Sequence, residues 1–326
     1  MFKTAQKNRV TQKTLKQSIT YVGVGLHCGK NVSMTVHPGE VDSGIHFLRK
    51  DVPAGEGLIA ARWYNVVDTS LSTAIGNEYG NRVDTVEHLM AALRGCGVDN
   101  AMIELDGPEV PIMDGSSHPF VSMIERIGTV DQESARHAIW IQRPIEVREG
   151  DKYAILMPSN TSRITVEIDF ESSAIGSQTM SVELVNEAFH HQVARARTFG
   201  FAQQIEALRE KGLALGGSLR NAVLVDGDRI VNEEGLRFDD EFVRHKILDS
   251  LGDLALAGVP ILGHYFGRKP GHELNSRLMN KLFEERGSWS YTTVEDFETL
   301  MGVQNTPVDN PDVIQGDFTK SAMSRS

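Results

Sequence analysis

Cysteine, long apolar runs and positive charge are all scarce in this 326-residue chain, and each shortage removes a class of protein. Only Cys28 and Cys96 are present, too few and too widely separated for a disulfide scaffold or a thiolate zinc cluster. Any metal must therefore be held by histidines and carboxylates. No apolar run approaches the roughly 20 residues a membrane-spanning helix needs. The N-terminal MFKTAQKNRVTQKTLK is polar and basic and lacks the apolar segment of a signal peptide. A soluble, cytoplasmic protein with at most peripheral membrane contact is expected. Lys and Arg total 33 against 44 Asp and Glu, a formal charge of -11, so no nucleic-acid partner is expected, although local basic patches stay open.

What is present is globular: 40% hydrophobic and 24% charged residues, with a length that suits two domains or one large one. Alternating segments such as KNVSMTVHP and GIHFLR read as strands. A helix follows from Asp84, then the strand NAMIELDG and a helix after MDGSSHPF that Ser116 or Ser117 could cap. The polar stretch GTVDQESARHA, residues 128–138, reads as a boundary. Beyond it the pattern restarts, since REGDKYAILMPSNTSRITVEIDF matches HCGKNVSMTVHPGEVDSGIHFLR in its order of turn, strand, Pro and strand, a hint of duplication. The expected class is α+β, with sheets packed against helices. Domains are expected over 1–130 and 138–305, the second with an insert near 199–224. The Pro-, Asp- and Ser-containing tail, 306–326, is expected to be frayed and open to a regulatory protease.

Two stretches carry candidate chemistry. In RVDTVEHLMAALRG, Glu87 lies beside His88 at a helix start. One reading is structural, with Asp84 as N-cap and Glu87 closing a capping box; the other is a site. In FDDEFVRHKILDSLGDLALAG, Glu241, His245, Asp249 and Asp253 recur every four residues and form one polar stripe. That stripe is either a solvated face of i,i+4 pairs or a place where His245 and Asp249 share one ion. Together with His88 they would make a three-ligand nitrogen and oxygen site with a position left for water. Glu87 would then take a proton from that water. The chain has no H-E-x-x-H, the commonest helical zinc-protease motif.

The segments GVGLHCGK, TVEHLMAAL, PEVPIMDGSSHPF, RARTFGF, GLALGGS, EGLRFDDEFVRHKILDSLGDL and GHELN, in that order, resemble those of the UDP-3-O-acyl-N-acetylglucosamine deacetylases, the LpxC family of lipid A biosynthesis in Gram-negative bacteria. The resemblance runs from about Thr14 to about Thr293 and implies two similar α+β domains with the active site between them. It implies one catalytic Zn2+, or Fe2+, on His88, His245 and Asp249. Glu87 would be the general base, His272 the general acid, Thr198 the hydroxyl donor to the oxyanion, and Asp253 the support of His272. Lys246 would lie near the substrate head group. Phe199, Phe201, Ala214 and Ser218, with Ala222 and Leu224, would line an acyl passage. The substrate would be a UDP-linked acylated amino sugar, and a monomer is expected. Ser72 stands where the family has a cysteine near the metal. His27 would serve the site or cap a strand. The LGGS run at Leu215–Ser218 would cradle phosphate or form a turn, and Lys152 would meet a phosphate or sit at a hairpin tip.

Overall fold

A computed structural model describes residues 10–185 and 187–302; the tail read from 306 onward lies outside them. Alternating apolar residues build the first sheet, as in NVSMTVHP, where Val32, Met34 and Val36 turn inward because side chains alternate across a strand. Its strands are β1 (Ile19–Val24), β2 (Asn31–Pro38), β3 (Ile45–Arg49), β4 (Leu58–Ala60) and β5 (Ala101–Leu105), in the order β1-β2-β5-β3-β4. Only β5 and β3 run parallel.

The second sheet holds β6 (Ile145–Glu149), β7 (Lys152–Met157), β8 (Arg163–Asp169), β9 (Ser177–Glu183) and β10 (His264–Arg268), in the order β6-β7-β10-β8-β9. Only β10 and β8 run parallel. The topology therefore repeats strand for strand. The two similar sequence segments hold β2 and β3 in one case and β7 and β8 in the other, with Pro38 and Pro158 at the ends of β2 and β7. The α+β class and the internal likeness expected from the sequence are both present.

Seven helices are described: α1 (Glu87–Gly95), α2 (His118–Ile127), α3 (Ala188–Gln192), α4 (Ala202–Glu210), α5 (Glu241–Ala255), α6 (His272–Glu284) and α7 (Val294–Met301). In each repeat a helix, α1 or α5, is the last before the fifth strand, and a second, α2 or α6, follows that strand. α1 and α5 pack on each other, and the apolar side chains of both sheets meet in one continuous cluster through them. The two helices touch at backbone level: a Cβ on Gly252 of α5 would lie 2.0 Å from the Glu87 carbonyl oxygen.

The polar stretch at 128–138 is not a loop. Thr129–Ala135 is a strand paired antiparallel with Thr11–Leu15. None of its side chains is fully buried, so no apolar stripe marked it as a strand. The insert is a small sheet of Phe199–Phe201, Val223–Asp226 and Arg229–Ile230, with α4 between its first two strands.

Gly252→Ala is expected to cost about 1–3 kcal/mol of stability, the usual cost of overpacking a close contact, because Cβ cannot enter the space without parting α1 from α5. A denaturation midpoint equal to wild type would contradict this.

Candidate active site

α1 opens directly on Glu87 and His88, without a side-chain cap. Its N-cap is Val86 in a helical conformation, whereas a capping residue is normally extended. Asp84 is held by Arg82 (Nε to Oδ1, 2.6 Å), and Glu87 Oε2 accepts the Thr73 N–H at 3.0 Å. The capping-box reading is therefore corrected. Thr85, at φ 58°, turns the chain so that neither carboxylate lies over its own helix end. Ser117 stands at the N-cap of α2, but its hydroxyl donates to the His88 carbonyl at 2.8 Å.

The α5 stripe is not a solvated face. Glu241, His245, Asp249 and Asp253 are each at most 4% exposed, because α5 is covered by α1 on one side and by the second sheet on the other. Glu241 belongs to a separate buried pair with Arg197 (2.9 Å). The other three turn toward the α1 N-terminus.

His245 Nε2 lies 3.2 Å and His88 Nε2 3.7 Å from Asp249 Oδ1. His245 Nδ1 is 3.1 Å from the Ala196 carbonyl, which can only accept, so Nδ1 carries the proton. Burial pushes the His245 ring down to about 3, which keeps it neutral. Its Nε2 lone pair thus faces a carboxylate oxygen with no proton between them. Asp249 Oδ1 and His88 Nδ1 are buried without a hydrogen-bond partner. Burial alone would raise the Asp249 carboxyl, but the Lys246 ammonium, with His88, holds it well below the usual carboxylate range. Lys246 Nζ donates to Asp249 Oδ2 at 2.8 Å, which leaves Oδ1 as the free donor. Tetrahedral ligands at zinc distances sit about 3.3 Å apart, close to the spacings found. The residues fit a divalent metal ion.

Beside this cluster stand an acid and a base. His272, the first residue of α6, places Nδ1 3.0 Å from Asp253 Oδ2 and Nε2 3.9 Å from Glu87 Oε1. Asp253 also accepts from Thr73 Oγ1 (2.5 Å) and Asn275 Nδ2 (2.8 Å), and Asn275 Oδ1 accepts from the Tyr265 hydroxyl (2.6 Å). Burial opposes the imidazolium, yet Asp253, then Glu87 and Asp249, outweigh it and raise His272 to about 9. Burial also raises Glu87, against the pull of His272 and His88. Sequence reasoning did not single out Thr73, Asn275 or Tyr265. Asn275 does lie within GHELN, and Thr73 follows Ser72.

A cavity of about 360 Å³ adjoins the cluster. Phe199, whose ring centroid is 6.2 Å from that of His245, lines it with Thr198, Phe201, Ala214, Ser218, Ala222 and Leu224. His27 lines it too, with both ring nitrogens buried and unpartnered. Its backbone N–H and that of Cys28 donate to Glu109, at 2.9 Å each. The LGGS run is a turn rather than a phosphate cradle. Its N–H groups are spent on the carbonyls of His27, Leu26 and Ala214 and on Asn221 Oδ1. Lys152 is exposed at the tip of the β6–β7 hairpin, and is not among the residues that line this cavity. Ser72 is buried and accepts the Thr85 hydroxyl at 3.3 Å.

Two imidazoles and a carboxylate around one point, with an ionisable base and a charged imidazole beside it, are the parts of a metal-dependent hydrolase. The model of the family "LpxC: UDP-3-O-acyl N-acetylglycosamine deacetylase" matches residues 12–284, and the chain belongs to this family. It is 48% identical over 290 residues to the UDP-3-O-acyl-N-acetylglucosamine deacetylase of Idiomarina loihiensis, covering 88% of this chain and 94% of that protein. To the protein of the same name from Syntrophus aciditrophicus it is 44% identical over 295 residues, 90% and 93% of the two chains. The corresponding protein of Acidithiobacillus ferrooxidans is 47% identical over 284 residues, 86% and 93%.

His245→Ala is expected to lose metal affinity, since it removes one of the three converging donors. Elemental analysis of the purified variant beside wild type checks this. Equal metal content in the two would show that the ion lies elsewhere.

Proposed function

We propose that this protein removes the N-acetyl group from UDP-3-O-[(3R)-3-hydroxyacyl]-N-acetylglucosamine, giving the free amine and acetate, the committed step of lipid A biosynthesis. Family membership supports the substrate. The observation that carries the reaction type is the convergence of His88, His245 and Asp249 beside Glu87 and His272. Zn2+ is the proposed ion, with Fe2+ the other the site would take. Bound there, it supplies a Lewis acid that polarises the amide carbonyl and brings the pKa of water to about 7.

The chain's own residues divide the remaining work. Glu87, on a helix N-terminus and 3.9 Å from His272, accepts the proton of the attacking water. The leaving amine is a poor anion and must be protonated as the C–N bond breaks. His272 supplies that proton, held charged and oriented by Asp253 through Nδ1, which leaves Nε2 free toward the substrate. Thr198 directs its hydroxyl at the oxyanion, an interaction that strengthens as charge develops and so lowers the barrier. Lys246 serves the head group as well as Asp249. The apolar cavity of Phe199, Phe201, Ala214 and Ser218 takes the acyl chain, and Lys152 is the remaining proposed contact, reaching for a phosphate. The proposed domains are 1–130 and 138–305.

No helix among the described residues is long and apolar enough to cross a membrane. Residence in the cytoplasm, a monomeric state and proteolytic control through residues 306–326 are part of the same proposal.

Glu87→Gln is expected to lose about two to four orders of magnitude in turnover while keeping its metal, and unchanged turnover would remove the base assignment. The pH profile should be a bell. Activity rises as Glu87 loses its proton, above the usual carboxylate range because burial raises that pKa. It falls again as pH passes about 9, where His272 loses the proton it must donate. A profile without the alkaline limb in wild type would count against His272 as the acid.

A further inference from the structure

Behind α5, on the side away from the catalytic residues, lies a second cavity of about 260 Å³ between the end of α1 and the second sheet. Three arginines line it, Arg94, Arg136 and Arg163, and most of the remaining wall is apolar, including Leu251 and Leu254 of α5 and Ile164 of β8. Its one acidic lining residue, Glu187, is 70% exposed and lies 3.7 Å from His191. Such a cationic hollow is at odds with a chain that carries eleven more acids than bases.

Two of the three arginines are under-used. Arg94 has a side chain only 13% exposed, and its Nε and Nη1 are buried without a hydrogen-bond partner. The nearest carboxylate, Asp99, stays 3.8 Å from Nη1. Its oxygens are already engaged by Arg136 Nε at 2.9 Å and by the Lys13 N–H at 3.0 Å. Arg163 is paired with Glu183 through Nη2, while its Nε is buried and unpartnered. A buried donor left unmade costs about 1–3 kcal/mol, more when the group is charged. Burial and the neighbouring Arg136 push Arg94 down to about 10, which still leaves it charged at neutral pH.

We infer that this cavity is a binding site for an acidic amphiphile, an anionic head group seated on Arg94 and Arg136 with its aliphatic chain against Leu251, Leu254 and Ile164. A phosphate or a carboxylate is the acceptor that guanidinium groups pair with best, and the apolar wall supplies the reason for a chain rather than a bare ion. The site is separate from the cavity of Phe199 and Phe201. It touches both α1 and α5, so an occupant braces the α1–α5 junction and raises thermal stability by mass action.

The test is calorimetry on the metal-loaded full chain with hexyl phosphate, hexanoate and hexanol as probes. Both anions are expected to bind and to raise the melting temperature, with hexanol about tenfold weaker or worse. Arg94→Met and Arg136→Gln are expected to weaken the anions about ten- to a hundredfold with deacetylation in the absence of probe unchanged. Equal binding of hexanol and the anions, or binding of the anions unchanged in both variants, would overturn the proposal. So would binding lost in Ala222→Trp, which fills the other cavity, but kept in Arg94→Met. If only hexyl phosphate or only hexanoate binds, with the same Arg94 dependence, the proposal stands and the head group is identified.

Discussion

Everything at the site depends on how closely α1 and α5 approach. Glu87 and His88 belong to one repeat, His245 and Asp249 to the other, and donors to a shared ion must lie within a few ångströms. Ordinary helix packing keeps axes about 8–10 Å apart, depending on the side chains at the contact. Here Gly252 removes the side chain at the crossing and lets α5 rest on the carbonyl of Glu87 itself. The residue that anchors the crossing is thus the one that serves as proposed base. Its position is fixed by backbone contact rather than by side-chain packing alone.

The charges around that crossing are sorted by environment rather than by residue type. Asp249 and Glu87 are both buried carboxylates, yet Asp249 is held low by the flanking Lys246 and His88 while Glu87 is raised by burial. His245 and His272 diverge in the same way. One is kept neutral by burial, the other is charged by Asp253. Two carboxylates and two imidazoles are thereby set apart for the proposed roles of ligand, base and acid. Thr73 ties the arrangement together: its N–H holds Glu87 and its hydroxyl holds Asp253.

The polar stripe of α5 was legible because helical periodicity survives in sequence whether a face is wet or buried; the spacing alone could not say which, and only the packing of α1 over α5 decided it. The strand repeat left a trace in the Pro38 and Pro158 turns. The ribbon at Thr129–Ala135 left none, since a strand fully buried on neither face has no reason to alternate. Asp84 and Glu87 had the spacing of a capping box, but Thr85 turned the chain away from it. Thr73 and Asn275 were invisible as site residues because their roles are hydrogen bonds across 180 and 22 positions of sequence. Most roles at the site, those of His272 and Thr198 above all, came from resemblance rather than from any pattern in composition.

The strand-for-strand repeat of the two sheets has a consequence for cohesion. Neither copy owns a complete donor set: His88 comes from the first repeat, His245 and Asp249 from the second. An ion that binds all three is bound by the assembled pair and by neither half alone. Its binding free energy is therefore also adhesion energy between the halves. A metal held there would act as a rivet at the seam of the two repeats, so that mineral starvation would be felt as a loosening of architecture.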